Sequence, residues 1–305
     1  MKYDEIAGAY LVPPDIEIAS PIVPESPARR LRDVLEPIAT IGWWSRAAGE
    51  QFDAVDLDFL GGYVWGRAAS LGPDVTLAVV ASAFGVFDPS ILEAGISSAR
   101  QVASSERILA SRAIGASAGL AAATPHISAA DIERPTRRLR SALDTVDGTA
   151  RPLFSALRAL PIPDDPYGGL WRAAEMYREH RGDGHLAVCV AAGLDAVEMN
   201  VLTEVWLDYP VGEYSSTRGF GGDRIDGAVD SLAARGWIDP ANRAITTEGR
   251  AARDRIEAAT DRTQTAVIDA IGHGVDELVD ELQPIADAVL DAHAAPADAR
   301  KRAAG

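Results

Sequence analysis

Apolar residues recur every three to four positions along most of the chain, which is the spacing of one buried helix face. The segment "RRLRDVLEPIATIGWW" shows this pattern with Leu31, Val34, Leu35 and Ile38. Pro37 lies inside the segment and predicts a kink or an end there. No series of alternating strands is apparent. The sequence therefore predicts a mostly α-helical fold.

One strong break divides the predicted helices into two groups. "LPIPDDPYGG", at 160–169, contains three prolines and two glycines, which interrupt helices. We therefore expect an N-terminal domain at 29–160, a linker at 161–169 and a C-terminal domain at 170–292. The helices are expected at 53–70, 74–86, 88–102, 104–122, 128–144, 148–160, 168–181, 184–192, 194–208, 222–235, 246–271 and 274–292.

The two ends of the chain should lie outside these domains. "LVPPDIEIASPIVPESP" contains five prolines, which predict an extended, proline-rich arm over 1–28. The tail at 293–305 is expected to be flexible.

The two groups of helices resemble each other. A shift of 110 residues lays "GPDVTLAVVASAFGVFDPSIL" over "GDGHLAVCVAAGLDAVEMNVL", so that Gly72 meets Gly182 and Leu92 meets Leu202. Alanine-rich helices also match by chance, so an internal duplication and a chance similarity both stay open.

The most specific local motif lies at 222–262. A helix with Ile225, Val229 and Leu232 on one face ends before Gly236, which suits the left-handed residue after a helix. "WIDPANRAIT" follows as two short β-prone pieces around a turn, typical of a β-hairpin wing. Thr247 is then placed to cap a long amphipathic helix. This order of elements is the pattern of a winged helix.

The chain resembles a largely uncharacterised actinobacterial helix-turn-helix family that is distantly related to MarR-type proteins. The resemblance is carried by "LWRAAEMYREHRGDGHLAVCVAAGLDAVE", "STRGFGGDRIDGAVDSLAARGWID", "ITTEGRAARDRIEAATD" and "GYVWGRAASLGPDVTLAVVASAF". It covers roughly 30–290 and departs at Ser70, where the family usually has proline, and at Phe220, where it has tryptophan. It implies two winged-helix-like halves with small β-hairpin wings. It implies no settled function.

The charge balance argues against DNA as the main partner. The chain has 29 basic and 45 acidic residues, a formal net charge of −16, and such a surface repels phosphates on average. A MarR-like protein would place the helix at 222–235 in the major groove, yet Asp223, Asp226 and Asp230 lie on one face of it. Nucleic-acid binding is therefore not our expectation, although it is not excluded.

Ionisable residues are concentrated in "YREHRGDGHLAVCVAAGL", at 177–194. In the simpler interpretation Gly182 ends one helix, Asp183 caps the next, and the other side chains are polar neighbours. In the functional interpretation His180, Asp183 and His185 form an acid–base group, because a carboxylate near an imidazole can fix its tautomer and raise its pKa. Arg181 would then grip a polar ligand.

The corresponding stretch of the first half, "YVWGRAASLG", supplies Tyr63, Trp65 and Arg67, which suit an anionic or planar molecule. Arg218, in the glycine-rich "SSTRGFGG", could close the same cleft. We therefore predict a polar pocket between the two halves. Its ligand-binding residues would be Tyr63, Trp65, Arg67, Arg181 and Arg218, and its catalytic residues, if a reaction occurs, His180, Asp183 and His185.

No metal or cofactor is expected. His180 and His185 are five residues apart rather than four, and Cys189 is the single cysteine, so the common zinc spacings do not occur. A phosphate-binding loop of the G-x-x-x-x-G-K-[ST] type is excluded because Lys2 and Lys301 are the only lysines.

The start "MKYDEIAGAYLVPP" lacks the pattern of a signal peptide, and "LAVVASAFGVF" is too short to span a bilayer. We therefore expect a cytoplasmic protein without a membrane partner. Leu278, Leu282, Ile285 and Val289 form one apolar side of the last long helix. They predict either a core face or the seam of a homodimer through the C-terminal helices.

Three functions follow from these observations. The first is a small-molecule-binding winged-helix protein with a pocket between its halves. The second is an enzyme that acts on a specialised metabolite by His/Asp acid–base chemistry, and the third is a MarR-like transcriptional regulator. The residues alone leave open whether the chain is an enzyme.

Overall fold

A computed structural model describes residues 3–11 and 25–303, and these residues are mostly helical. They form sixteen α-helices: α1 (Tyr3–Tyr10), α2 (Pro27–Trp44), α3 (Arg46–Asp53), α4 (Phe59–Ala68), α5 (Leu77–Phe84), α6 (Pro89–Val102), α7 (Ser105–Ala123), α8 (Ala129–Thr145), α9 (Pro152–Arg158), α10 (Pro166–Ala191), α11 (Ala196–Trp206), α12 (Gly222–Ala234), α13 (Thr247–Arg262), α14 (Thr265–Ile271), α15 (Val275–Asp291) and α16 (Ala299–Ala303). The prediction of a mostly α-helical fold is confirmed.

Many helices begin at a side chain that accepts a hydrogen bond from an amide of the first turn. Asp58 caps α4, Thr76 caps α5 and Asp165 caps α10. Asp195 and Glu198 form a reciprocal capping box at the start of α11. These caps satisfy amides that have no partner inside the helix, and they explain why the helices begin where they do.

Helix α10 is central to the packing. It contacts α2, α7, α8 and α9, which precede it in the chain, and α13, which follows it. Trp171 donates its indole N–H to the carbonyl of Ala39 (3.2 Å), and the hydroxyl of Tyr177 donates to the carbonyl of Ala28 (2.9 Å). The largest hydrophobic core joins α2, α7, α8, α9, α10, α14 and α15. Residues of 29–160 and of 170–292 therefore share one core.

The predicted helix break at Gly182 is wrong. α10 continues without interruption through Gly182 and Asp183, and Gly182 lacks the positive φ that a left-handed cap requires. A glycine inside a helix costs only about 1 kcal/mol, which the packing of α10 on five other helices outweighs. Gly72, by contrast, ends a short 3-10 turn with φ of 118°. The two glycines matched by the proposed duplication are therefore not in equivalent conformations.

The predicted linker is shorter than expected, because residues 166–169 belong to the first turn of α10. Pro166 favours this start, since proline lacks the amide hydrogen that the first helical position does not use. Residues 161–165 contain no helix.

Both termini depart from the predicted arm and tail. Tyr3–Tyr10 form α1, and the hydroxyl of Tyr3 donates to the carbonyl of Trp44 (3.0 Å), so the extended arm is wrong for these residues. The proline-rich residues 12–24 lie outside the described residues. The tail is held through residue 303: the hydroxyl of Tyr209 donates to Asp298 (3.1 Å), and Arg300 lies over the ring of Tyr209. Aromatic and polar contacts thus join residues 298 and 300 of the predicted tail to Tyr209.

The apolar side of α15 is part of the chain's own core. Leu278, Leu282, Ile285 and Val289 are buried, and they pack with residues of α2 and α8. These four residues therefore form a core face, which is the first of the two predicted alternatives, and the homodimer through the C-terminal helices stays a prediction.

Helices α11 and α12 form a helix–turn–helix pair over a separate small core that includes Val201, Val229 and Leu232. The β-hairpin wing predicted after this pair is not confirmed. A single antiparallel bridge joins Ile238 to Ile245, and no strand occurs in 3–11 or 25–303. Thr246, one residue before the predicted cap, accepts the hydrogen bond from Gly249 that starts α13.

Within the described part of the chain, no single helix is both long and apolar enough to cross a membrane. The successive helices α10 and α11 reach that length and composition only when they are joined across a bend of 104°. Most residues of both helices are buried inside the protein.

Candidate functional site

A cavity of about 90 Å³ lies where α10 meets helices from both parts of the chain. Residues of α4, α5, α9, α10, α11 and α13 contribute to its wall, together with loop residues. Five of them are arginines, and we call this space the arginine-lined cavity. Its lining comprises Tyr63, Arg67, Ala83, Phe84, Val86, Phe87, Leu153, Arg178, Glu179, Arg181, Gly182, Asp183, His185, Leu186, Met199, Asn200, Thr203, Tyr214, Arg218, Arg253 and Glu257.

Arg67 and Glu179 form a buried, bidentate ion pair across the cavity wall. Nε of Arg67 donates to Oε1 of Glu179 (3.2 Å) and Nη2 donates to Oε2 (3.0 Å). Arg178 also reaches Glu179 (3.1 Å) and a second carboxylate, Glu36 (3.2 Å). Burial raises the pKa of Glu179, but the fields of Arg67 and Arg178 outweigh it, so this pKa lies below its ordinary value. The carboxylate therefore stays ionised and its two arginines are neutralised.

A second buried cluster surrounds Glu257. Arg29 and Arg253 contact its carboxylate, and Nη2 of Arg181 donates to it (2.9 Å) and to Asp261 (3.1 Å). Burial raises the pKa of Glu257, but the surrounding arginines hold it well below its ordinary value. Arg181 and Arg253, like Arg67, thus point their charge at carboxylates of the protein.

Arg218 is the exception among the five arginines. It ends a short 3-10 turn at Ser215–Arg218, followed by Gly219 with φ of 91°, a conformation that glycine adopts without strain. Its guanidinium lies 4.6 Å from the ring centre of Phe87 and 4.5 Å from that of Tyr214, and it donates to the Tyr214 hydroxyl. Across the described ranges it forms no ion pair with a carboxylate, and its buried Nε has no hydrogen-bond partner.

Tyr63 responds to this positive charge. Burial raises the pKa of its hydroxyl, but Arg218, Arg67 and Arg178 together lower it below the ordinary value. These three arginines thus favour the ionised form of the Tyr63 hydroxyl more than burial disfavours it.

Asp183 is the one carboxylate of the lining with no arginine ion pair in the described structure. Its Oδ2 accepts from the backbone amide of Phe154 (3.1 Å), which satisfies an amide in the first turn of α9. Its Oδ1 is buried without a partner. Burial raises the pKa of Asp183 to about 7, and the negative charge of Glu179 acts in the same direction. Near neutral pH this side chain can therefore either donate or accept a proton.

The two histidines have partners other than Asp183. Nδ1 of His185 lies 2.9 Å from the hydroxyl of Thr260, and its Nε2 lies 3.5 Å from the sulfur of Cys189. Burial and the nearby Arg253 lower the pKa of His185 to about 3, so the imidazole is neutral at physiological pH. No hydrogen bond joins Asp183 to either histidine in the residues the structure describes.

His180 lies outside the cavity. Its Nδ1 lies 2.8 Å from Oε1 of Gln264, and its ring packs edge-on against Phe154. Burial lowers the pKa of His180 to about 4. It is a neutral, packed core residue. In 3–11 and 25–303, no group of three or more His, Cys, Asp or Glu side chains has the arrangement of a metal site.

The structure thus brings together six of the eight predicted residues, namely Tyr63, Arg67, Arg181, Asp183, His185 and Arg218. His180 and Trp65 are not in the lining. Trp65 donates its indole N–H to the carbonyl of Ala103 (3.1 Å) and carries Arg100 over its ring. Trp65 is therefore a buried core residue of the N-terminal part.

Sequence reasoning missed the carboxylates Glu179 and Glu257 and the aromatic residues Phe84, Phe87 and Tyr214. Arg178, Arg181 and His185 follow helical spacing. If α10 had been predicted as one unbroken helix, this spacing would have placed the three ionisable side chains on one face. Glu257 carries no such signal, because it reaches Arg181 from 76 residues away.

The exposed face of α12 carries Asp223, Asp226 and Asp230. Arg243 pairs with Asp226 (2.8 Å) and offsets that one charge, whereas Arg224 pairs with Asp88 and leaves Asp223 and Asp230 without its charge. The face that a groove-binding helix would present is therefore acidic.

The described residues thus form a mostly helical protein with a helix–turn–helix pair, an arginine-lined cavity and an acidic face on α12. The chain belongs to a helix-turn-helix family, whose sequence profile matches residues 28–296. Neither curated proteins nor solved structures give a match to the chain. The prediction of a helix-turn-helix family is confirmed.

Proposed function

We propose that the protein binds a small molecule in the arginine-lined cavity. The observation that supports this function is a set of buried polar atoms without partners on residues of one cavity: Oδ1 of Asp183, Nε of Arg181 and Nε of Arg218. A buried polar atom without a partner costs about 1–3 kcal/mol. A ligand that supplies the missing hydrogen bonds would recover that free energy on binding.

The position of the cavity supports the same function. It lies at the junction of α10 with the N-terminal helices and with α11 and α13, and junctions of this kind are common sites of ligand binding. Tyr214 and Arg218, which are only half-buried, lie on the loop before α12. A ligand would therefore contact the segment that leads into the helix–turn–helix pair.

A metabolite screen by thermal shift, followed by calorimetry of each hit, tests this function. Ala83→Leu places a larger side chain in the cavity wall, so a true ligand should bind it at least about tenfold more weakly. Ala78→Leu, an exposed position on the same helix α5, is the matched control and should bind like the wild type. A hit that binds all three proteins equally lies elsewhere, and the absence of any hit sensitive to Ala83→Leu would contradict the proposal.

DNA binding is the second candidate, and family membership is the observation that favours it. We propose a MarR-like winged helix made of α11, α12 and the hairpin around the bridge of Ile238 and Ile245. Gel-shift titration with the DNA upstream of the coding sequence, at low salt, tests it. Sequence-selective binding at or below micromolar protein would support a regulator, and only salt-sensitive, unselective binding would contradict it.

A further inference from the structure

The arginine-lined cavity contains one cationic group that the protein leaves uncompensated. Arg67, Arg181 and Arg253 each face a carboxylate, whereas Arg218 faces two aromatic rings and tyrosine hydroxyls. Guanidinium groups bind carboxylates in a planar, two-pronged geometry, and Nε is one of the donors of that fork. The unpartnered Nε of Arg218 is therefore a donor suited to an anionic group.

A second uncompensated group, Asp183, lies in the same wall. The charged groups that act on Asp183 are the carboxylate of Glu179 and the guanidinium groups of Arg67 and Arg151. Its Oδ2 already accepts a hydrogen bond from the backbone amide of Phe154. The Oδ1 without a partner can accept a hydrogen bond from a ligand hydroxyl when Asp183 is ionised, and the carboxyl can donate one to a ligand carbonyl when Asp183 is protonated. A second anionic group at this position would be repelled by Glu179 and Asp183.

The size of the cavity limits the ligand. Its volume of about 90 Å³ is smaller than the roughly 150 Å³ of an engineered protein cavity that holds benzene. Benzene has six non-hydrogen atoms, so a ligand of about that size fits here with some movement of the wall. Nucleotides, sugar phosphates and fused aromatic rings would need a much larger movement.

We propose that the ligand is a small 2-hydroxy or 2-oxo monocarboxylate, with its carboxylate at Arg218 and its hydroxyl or keto oxygen at Asp183. This assignment rests on the proposed function, because it names the class of molecule that the same cavity takes. One negative charge neutralises the one uncompensated arginine, and one neutral polar group satisfies the one uncompensated carboxyl.

Calorimetry and thermal shift on the full chain test the class with five probes: lactate, pyruvate, propionate, lactamide and L-alanine. Lactate and pyruvate should bind. Propionate should bind about fivefold to tenfold more weakly than lactate, because it leaves Oδ1 of Asp183 unpaired. Lactamide should bind at least about tenfold more weakly than lactate, because it lacks the negative charge. Arg218→Gln should remove the preference for lactate over lactamide. Arg243→Gln, which removes an exposed arginine from the same part of the chain, should leave it intact.

If Arg218→Gln does not fold, Arg218→Lys replaces it, and the preference for lactate over lactamide should then persist with weaker binding. Lactamide binding as tightly as lactate, or L-alanine binding more tightly than lactate, would overturn the class of 2-hydroxy and 2-oxo monocarboxylates while the cavity remained a ligand site. The class is also overturned if none of the five probes binds but a larger metabolite from the screen is sensitive to Ala83→Leu. If the screen also gives no such metabolite, the proposed function fails together with this assignment.

Discussion

The side chain of Asp183, in the middle of α10, accepts a hydrogen bond from the backbone amide of Phe154, 3.1 Å away in the first turn of α9. This contact replaces the local cap that the sequence predicted at Asp183. It also buries a carboxyl group whose pKa rises to about 7. The two effects make Asp183 a pH-dependent element of stability.

We expect Asp183→Asn to change how stability depends on pH. Between about pH 4 and about pH 7 the folded protein holds a proton on Asp183 that the unfolded chain has released. The Asp183 contribution to the free energy of unfolding therefore falls as pH rises through this range, by up to about 1.4 kcal/mol per pH unit. The variant keeps an acceptor for Phe154 but does not titrate, so urea unfolding should show its stability falling less with pH than that of the wild type.

The control for this prediction is Asp144→Asn, which changes an exposed carboxylate on α8. Its pH dependence should match the wild type. Parallel curves for Asp183→Asn and the wild type would mean that Asp183 is ionised throughout, contrary to the burial of its free oxygen.

His185 should act with the opposite sign. Its pKa falls to about 3 in the folded protein, because it is buried next to Arg253, whereas the unfolded chain binds the proton near pH 6.5. Between these values the unfolded chain holds the extra proton, so the free energy of unfolding decreases as pH falls from about 6.5. His185→Gln retains a partner for Thr260. In this variant the free energy of unfolding should fall less as pH decreases, by the amount that one bound proton contributes.

His126→Gln, at an exposed position, serves as the control for that comparison. Denaturant unfolding between about pH 4 and about pH 7 gives the slopes for all three proteins. An unchanged slope in His185→Gln would show that His185 is protonated in the folded protein.

The Gly182→Ala substitution distinguishes a continuous helix from a helix break. A methyl group at Gly182 would meet only Oε2 of Glu179, at an ordinary 3.7 Å. Since alanine is favoured over glycine inside a helix, the variant should be more stable by about 0.5–1 kcal/mol. A left-handed cap at this position would instead make the variant less stable by about 1 kcal/mol or more.

Gly184→Ala in the same helix gives the contrasting result. A methyl group there would collide with the hydroxyl of Thr263 and lie 2.9 Å from a guanidinium nitrogen of Arg151. We expect it to be destabilised, with a lower midpoint in both thermal and urea unfolding. Equal stability of the two variants would contradict the packing of α10 against the end of α13.

The helices and much of the site could be predicted from the sequence because both depend on local spacing. Leu31, Val34 and Leu35 are buried on one face of α2, as their periodicity indicates. The error at Gly182 arose because local preference favoured a break there, whereas long-range packing kept the helix intact. The partners of the arginines could not be predicted, since an ion pair such as Arg181 with Glu257 leaves no local pattern.

The acidic face of α12 gives the last prediction. Asp223, Asp226 and Asp230 are exposed on this helix, so they would repel phosphates if α12 approached a DNA groove. Neutralising all three to Asn should therefore raise the affinity for duplex DNA several-fold at low salt, and the gain should shrink as salt screens the charges. Fluorescence anisotropy with a labelled duplex over a salt series measures both effects.

The matched control changes Asp280, Asp287 and Asp291, which are exposed on or at the end of α15, and it alters the net charge equally. If α12 is the surface that meets DNA, only the first variant gains affinity beyond the general charge effect. An equal gain in both would mean that net charge alone governs the interaction, and α12 would then lose its claim to be a DNA-reading helix.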